Sequence, residues 1–319
     1  MPGPPGLARQ SRCSTQTGVD NLGPYLLHVV WSLAALSGLF LGLRVYCKLW
    51  RGRQLWWDDH VLVASWVTLV VSAVLQSVGV HYGLGMSYTD LYQQGTISDV
   101  SKYSYIGGFF SILATCWSKT SVAISLLRIA TGREMRWFIW FIIITVNLVL
   151  GSNGVIQWVQ CWPIRKLWIW ELEGSCLPAS VIQDYNAFIA AFSGLMDIVL
   201  ALLPWKIIWV VAINKKEKLG ALVAMSVGVL AGVMSFLKIR TLNAIGDSNA
   251  TTVHLFIFGT AEPATAIMAA SIPVLRTLIR RETYRGPTEF IEMGSHRIRM
   301  PSSSELDPLD RWKDPCEGE

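Results

Sequence analysis

The sequence predicts an all-α membrane protein, a seven-transmembrane helix bundle with its N-terminus outside and its C-terminus in the cytoplasm. Seven long apolar stretches, separated by short loops, follow one another along the chain. Of its 319 residues 52% are hydrophobic and 15% are charged, whereas soluble domains contain roughly 25% charged residues. The mean hydropathy is +0.41. A soluble core could not bury so much apolar sequence, so we expect a lipid bilayer to surround the helices.

Each apolar stretch is long enough to be a transmembrane helix. A hydrocarbon core of roughly 30 Å needs about 20 helical residues. Barrel strands alternate apolar and polar residues, whereas these stretches are continuously apolar, so helices are predicted. Four stretches contain no Asp, Glu, Lys or Arg, and three contain one charged residue well inside their ends. In chain order the predicted spans are 21–43, 60–89, 103–127 around Lys119, 137–164, 185–209 around Asp197, 219–237 and 251–275 around Glu262.

The loops between the predicted spans alternate between many and few Lys and Arg residues. The odd-numbered loops and the segment after the last span are rich in them, with Arg44 and Lys48 counted in the first loop. The positive-inside rule therefore predicts that the chain starts outside and ends in the cytoplasm. The sequon Asn249-Ala250-Thr251 lies in a predicted exterior loop and predicts N-glycosylation at Asn249. The net charge of +5 follows from the loop cations, so no nucleic-acid partner is expected.

Three parts are predicted along the chain. They are an exterior N-terminal tail over 1–21, the bundle over 22–281 and a cytoplasmic tail over 282–319. The last part contains Pro287, Pro301, a run of serines and scattered acids, a composition typical of disorder. Neither tail is large enough to fold alone, so we expect the function to lie in the bundle, its loops or a partner.

Two of the six cysteines are predicted to form a disulfide. Cys161 and Cys176 lie in the same predicted exterior loop, and a disulfide persists in that oxidising compartment. Cys13 is the competing exterior partner for either of them.

The charged residues inside the predicted spans are expected to face the bundle interior. An ionisable side chain at mid-membrane costs roughly 2.5–3.5 kcal/mol on insertion scales. Lys119 lies nine residues before Arg128, and Asp197 lies nine before Lys206. At about 1.5 Å per residue, both lie about 13 Å from the cytoplasmic boundary. Equal depth and opposite charge predict a buried ion pair between Lys119 and Asp197.

Glu262 is expected about 7 Å closer to the exterior than this pair, by the same estimate. It precedes Pro263, which frees a backbone carbonyl one turn earlier and bends the helix. Three roles remain open for its carboxyl group: a ligand contact, a proton site or a contribution to helix packing. His254 on the same span, with Asn153 and Gln157 on the fourth, adds polar atoms in the exterior half, where a small amphiphile could enter.

The adjacent Asp58 and Asp59 lack the second acidic pair that would chelate magnesium, and they are interpreted as stabilising the N-terminus of the second helix.

Several short motifs follow one another in a fixed order along the chain. The motifs are Arg44-x-Tyr46, Trp57-Asp58-Asp59, Tyr82-Gly83-Leu84-Gly85, Lys119-Thr120-Ser121, Leu127-Arg128, Cys161-x-Pro163, Gly174-x-Cys176, Leu203-Pro204 and Pro273-x-x-Arg276.

On this ordered set, the chain over about 22–278 resembles the fungal rhodopsin-domain integral membrane proteins. These form a seven-span group that includes receptor-like members and many encoded in secondary-metabolite clusters. The resemblance implies a seven-span fold and does not specify an activity. A retinal opsin would need a Schiff-base Lys in the last span, and residues 251–278 contain none, so no retinal is expected.

Two functions are considered for this chain. The first is a receptor-like sensor of a small or amphiphilic ligand, with Glu262, Lys119 and Asp197 as candidate ligand contacts and a cytoplasmic effector as a further partner. The alternative is a membrane-embedded enzyme or accessory protein of a fungal secondary-metabolite (mycotoxin-type) pathway. There Glu262, Asp197 or His254 would act as acid or base on a pathway intermediate. No catalytic motif, metal site or cofactor site is predicted, and the sequence has no inverted repeats typical of transporters.

Overall fold

The structure, a computed structural model, describes residues 21–50, 52, 54–86, 88–130, 132–169, 171–210, 215–243 and 249–283. The predicted tails over 1–21 and 282–319 lie almost wholly outside these ranges. The chain divides into a compact unit that ends at Arg280 and a second unit from Arg281. Of the second unit the structure describes only the last residues of a helix.

The described residues form helices joined by short connections, as the sequence predicts. Seven of the described helices are long and apolar enough to cross a membrane, and the short helix α3 is not among them. The all-α seven-span fold is therefore confirmed, while the orientation of the termini stays a prediction. The helices are α1 (Gly23–Trp50), α2 (Trp57–His81), α3 (Tyr88–Gln94), α4 (Ile97–Ile129), α5 (Arg133–Val159), α6 (Ala179–Val210), α7 (Lys215–Asn243) and α8 (Asn249–Thr283).

The first two spans end at residues other than the predicted ones. The first span was expected to end at residue 43, but α1 continues to Trp50, so Arg44 and Lys48 are helical and buried. Their charges are paired with carboxylates of α2, which is why they are not loop residues. The second span was expected to reach residue 89, but α2 ends at His81. Gly83 and Gly85 follow with φ of 111° and 99°, a backbone conformation that favours glycine and ends the helix.

The predicted disulfide closes the loop between α5 and α6. Helix α5 ends at Val159 and not at residue 164, because the chain then enters a short strand, β1 (Cys161–Trp162). This strand pairs antiparallel with β2 (Ser175–Cys176), with Cys161 opposite Cys176. The two cysteines form a disulfide, so Cys13 is not the partner of either. We call this side of the bundle the disulfide end, and the opposite side, where α1 ends, the Arg44 end.

The outer surface of the spans is apolar and the interior contains many polar side chains. Phe141, Ile144 and Leu148 recur every three or four residues on α5 and are all exposed. In contrast, Ser65 and Ser72 of α2 are fully buried and donate hydrogen bonds to carbonyl oxygens of α4. An apolar outside and hydrogen-bonded interior suit lipid as the surrounding medium. The chain is thus an integral, multi-pass membrane protein.

Small residues let α6 and α7 approach closely. Gly228 and Gly232 are four residues apart on α7, where Gly228 faces Ala201 of α6 and Gly232 faces Gly194 of α6. A Cβ at Gly232 would lie 3.1 Å from the carbonyl oxygen of Gly194. Small residues at this spacing are typical of packed transmembrane helices.

Helix α8 is held in the bundle by hydrogen bonds from four other spans. Its partners lie on α1, α2, α4 and α6, so the seventh span is the common neighbour of the first, second, third and fifth. The bonds are Arg44 Nη1 to Ala270 O (2.5 Å), Gln76 Nε2 to Thr260 Oγ1 (3.4 Å), Ser111 Oγ to Gly259 O (3.0 Å) and Ser193 Oγ to Glu262 Oε1 (2.5 Å).

Candidate functional site

The three charged residues predicted inside the spans meet in one buried cluster. Lys119 of α4 forms an ion pair with Asp197 of α6, as the equal depths predict. Its Nζ also lies 3.1 Å from Glu262 Oε1 of α8 and 3.2 Å from the carbonyl oxygen of Ser193. The three charged side chains are 1–5% exposed. One ammonium group therefore contacts carboxylates from two other spans.

Glu262 joins this cluster one turn away from Asp197. Ser193, which donates a hydrogen bond to Glu262, precedes Asp197 by four residues, or about 6 Å along α6. That offset matches the separation of about 7 Å estimated from chain positions. The long side chain of Lys119 reaches both carboxylates, which the estimate of backbone depth did not anticipate. The predicted ion pair is thus part of a set of three charges.

Pro263 weakens α8 next to this cluster. A proline has no N–H group, so Pro263 leaves the carbonyl oxygen of Gly259 without its usual helical donor. Ser111 of α4 supplies the donor, with its Oγ 3.0 Å from Gly259 O. A serine of the third span thus completes the hydrogen bonding of the seventh where that helix is interrupted.

A cavity of about 520 Å³ lies on the disulfide-end side of the cluster, among α4, α5, α6, α7 and α8. Glu262 and Ser193 line its inner part, whereas Lys119 and Asp197 do not line it. Leu84 and Leu91, from the segment between α2 and α4, line it toward the disulfide end. Most of the remaining wall is apolar, and representative lining residues are Ile112, Leu150, Ile156, Ile189, Leu255 and Phe256.

Polar groups of α4 and α5 lie on the same cavity wall. Asn153 and Gln157 line the cavity, as the sequence indicates. Gln157 Nε2 donates to the carbonyl oxygen of Tyr105 at 2.8 Å, and its Oε1 has no hydrogen-bond partner among the described residues. The hydroxyl group of Ser104 also lacks one there. Gly108 leaves room for the amide, because a Cβ at this position would lie 3.0 Å from Gln157 Nε2.

Lys238 is a cavity-lining cation that the sequence did not single out. The predicted sixth span ends at residue 237, directly before Lys238, but α7 continues to Asn243 and the apolar segment extends to Leu242. Its Nζ lies 4.0 Å from the position that a Cβ would occupy at Gly259, one helical turn before Glu262. The signal was available in the sequence, since Lys238 directly follows the charge-free stretch.

A second buried charged cluster lies at the Arg44 end. Arg44 is 1% exposed and binds Asp58 at 2.7 Å and Asp59 at 2.9 Å. Lys48 binds Asp59 at 2.6 Å, and Arg44 also donates to the carbonyl oxygen of Ala270 on α8. The two Asp residues do begin α2, as predicted, but their main contacts are to α1. Both cations were predicted to lie in a loop, so this cluster was not predicted from the sequence.

Serines of α4 complete the Arg44-end cluster. Ser121 Oγ donates to the backbone oxygen of Asp58 at 2.6 Å, and Ser125 Oγ donates to its carboxylate at 3.1 Å. The cluster therefore connects α1, α2, α4 and α8. Among the described residues, no group of three or more His, Cys, Asp or Glu side chains is placed to hold a metal ion.

A family model described as fungal rhodopsin domain matches residues 43–281, more than half of the 319 residues. The chain belongs to the fungal rhodopsin-domain family. The resemblance seen in the motifs is thereby confirmed, and the matched segment contains both buried charged clusters and the cavity. No curated protein and no solved structure matches the sequence.

Other predicted site residues of this fungal rhodopsin-domain protein lie away from the cavity. His254 is exposed on α8, where its ring centroid lies 6.3 Å from that of Phe258, and it does not line the cavity. Asn249 is the first residue of α8. Its side chain lies outside the described part, so glycosylation there stays a prediction.

Proposed function

We propose that this fungal rhodopsin-domain protein is a receptor-like sensor that binds a small amphiphilic molecule in the cavity above Glu262. The observation that carries the proposal is the position of Glu262. Its carboxylate lines the cavity and is bonded to Ser193 of α6 and Lys119 of α4. A molecule that contacts Glu262 would thus act at the point where α4, α6 and α8 are bonded to one another.

The cavity has the size and chemistry of a small-molecule site. Its volume of about 520 Å³ lies within the roughly 300–1,000 Å³ typical of ligand pockets. Such pockets combine apolar walls with a few polar groups that orient the ligand. Here the polar groups include Asn153, Gln157 and Glu262 on a wall that is otherwise mostly apolar.

A sensor also needs two states that bind the ligand with different affinity. Pro263 interrupts the helical hydrogen bonding of α8 beside Glu262, and Arg44 binds α8 further along at Ala270. Packed, hydrogen-bonded elements of this kind change between discrete arrangements. We infer that a ligand changes the packing of α8 at the cavity, and that the Arg44 end, which the predicted topology places in the cytoplasm, transmits the change to an effector.

The contacts of the candidate acids and bases support a sensor rather than an enzyme of a biosynthetic pathway. Glu262 and Asp197 are held in ion pairs with Lys119, so neither is free to exchange a proton without breaking a pair. His254 is exposed and lies off the cavity wall. A pathway role would instead require conversion of a bound molecule, which the experiment below also measures.

The proposal is tested with three lipophilic probes, 1-pyrenebutanol, 1-pyrenebutyric acid and 1-pyrenebutylamine, on protein in lipid nanodiscs. Saturable binding of at least one probe is expected above that of empty nanodiscs. Ser104→Phe, which fills the cavity, is expected to weaken it at least about tenfold, because the ring would overlap the ligand volume. Ser32→Phe, an exposed position on α1, serves as the matched control.

The sensor is supported if binding also alters the electron paramagnetic resonance spectrum of a nitroxide on Ile129→Cys, an exposed position where α4 ends. Native free cysteines are replaced for this measurement. Equal binding by wild type and Ser104→Phe would contradict the cavity as the site. Chemical conversion of a bound probe would favour the enzyme.

A further inference from the structure

We propose that Lys238 binds an anionic oxygen of the ligand, so that the cavity selects lipophilic organic acids. The inference rests on the proposed function and specifies its ligand class. An acid of this kind would place its carboxylate or acidic hydroxyl at the Lys238 ammonium group and its hydrocarbon part against the apolar wall.

The location of Lys238 supports this role. The residue lines the cavity from α7, the sixth span, and is only partly exposed. Its Nζ approaches α8 at Gly259 and lies 4.0 Å from the position that a Cβ would occupy there. Ser111, whose hydroxyl group binds Gly259 O, lines the cavity beside it.

In the part of the chain that the structure describes, the ammonium group of Lys238 forms no direct ion pair, although the Glu262 carboxylate attracts it at longer range. Glu262, one turn further along α8, is bonded to Lys119 and Ser193 instead. A lysine has three N–H donors and no acceptor, and its charge is costly beside apolar walls unless it is paired. A ligand oxygen with negative charge would form the stronger, charge-assisted type of hydrogen bond with it.

The charges of the site disfavour a cationic ligand. An amine would have to approach Glu262 past Lys238 and would compete with Lys119 for the same carboxylate, whose Oε1 already lies 3.1 Å from Lys119 Nζ. Like charges in a site of low dielectric repel strongly. Two further polar atoms that line the cavity without a described partner, Gln157 Oε1 and the Ser104 hydroxyl, suit additional polar groups of the ligand.

The test compares 1-pyrenebutyric acid with 1-pyrenebutanol and 1-pyrenebutylamine, which differ in the terminal group. Wild-type protein is expected to bind the acid about tenfold or more tightly than the alcohol, with the amine weakest, because the charge-assisted bond is available to the acid alone. Lys238→Met is expected to abolish the preference for the acid while leaving alcohol binding within about twofold. Retained alcohol binding shows that the variant is folded.

Two further variants sharpen the comparison. Arg240→Met removes the same charge from an exposed position two residues further along α7, and it is expected to leave the preference intact. Lys238→Arg keeps a cation at the cavity and should retain most of the preference for the acid.

Each outcome decides the proposal. It is overturned if the wild type binds acid and alcohol equally, if Lys238→Met keeps the preference, or if Arg240→Met removes it. Cavity binding as such survives those results, provided that Ser104→Phe still weakens binding. If no probe binds saturably to the wild type, both the acid preference and the proposed function fail.

Discussion

At the residue scale, Lys119 contacts two buried carboxylates that come from two different spans. A buried ion pair loses hydration energy from both partners, and the loss is recovered only when the contacts are close and hydrogen-bonded. Lys119 meets this condition through Asp197, Glu262 and the Ser193 carbonyl oxygen. Removing the lysine leaves two carboxylates facing each other, whereas removing either carboxylate leaves one ion pair.

This asymmetry predicts an order of stability. Lys119→Met is expected to destabilise the protein by about 3–5 kcal/mol, the usual cost of breaking a buried pair. Asp197→Asn is expected to cost clearly less, because Lys119 keeps Glu262. The double variant remains less stable than Asp197→Asn, because it leaves Glu262 without Lys119. Thermal unfolding in a single detergent measures all three.

A different order would contradict the three-charge cluster. If Asp197→Asn were as damaging as Lys119→Met and the double variant close to wild type, Lys119 and Asp197 would form an isolated pair. Glu262→Gln provides the matched comparison, since it also leaves one ammonium group with one carboxylate.

At the element scale, the charged residues at the Arg44 end connect four helices. Arg44 contributes two ion pairs to α2 and one hydrogen bond to α8, while α4 contributes serine hydroxyl groups. The planar guanidinium group makes this possible because its N–H groups point in several fixed directions. Helix α1 therefore extends beyond its apolar stretch, since its last turns are stabilised by these partners rather than by lipid.

Arg44→Met is expected to lower stability by about 3–5 kcal/mol, because Asp58 and Asp59 would then share Lys48 alone. Arg44→Lys should recover only part of the loss, since an ammonium group cannot bind both carboxylates and the α8 carbonyl in the same geometry. Thermal unfolding is the measurement.

The control for this prediction is Arg133→Met, an exposed cation in the first turn of α5. A change within about 0.5 kcal/mol is expected there, as for other surface substitutions. Equal losses from the two variants would indicate that charge at this end, and not the buried contacts of Arg44, determines stability.

At the scale of the whole molecule, the predicted topology indicates the side of the membrane from which a ligand would reach the cavity. The cavity extends from Glu262 toward Leu84 and Leu91 at the disulfide end, which the positive-inside rule places on the exterior side of the membrane. A ligand would therefore enter from the exterior half. The disulfide between Cys161 and Cys176 agrees with an oxidising exterior.

Cysteine labelling tests this orientation. Glu171→Cys lies in the loop closed by the disulfide, and Arg133→Cys lies toward the Arg44 end; both positions are exposed. With the four other cysteines replaced, a membrane-impermeant maleimide is expected to label Arg133→Cys in sealed vesicles whose cytoplasmic face points outward, and Glu171→Cys only after permeabilisation. The reverse pattern would invert the orientation and place the cavity opening in the cytoplasm.

Much of this architecture could be predicted from the sequence because lipid imposes simple requirements. Length and hydrophobicity determine spans, and opposite charges at equal depth determined the partners Lys119 and Asp197. Two cysteines in one predicted exterior loop likewise identified the disulfide. These inferences depend on composition and on distance along one helix, and the sequence contains both.

Contacts between helices depended on the tertiary structure. Chain position gave the depth of Glu262, yet the reach of the Lys119 side chain brought it into the cluster. Arg44 was counted in a loop and Lys238 fell just outside the predicted sixth span, although Lys238 lines the cavity and Arg44 is buried. The physical reason is that a cation near a span end can remain in water or pair inside the bundle. Which of these occurs is decided by partners on other helices.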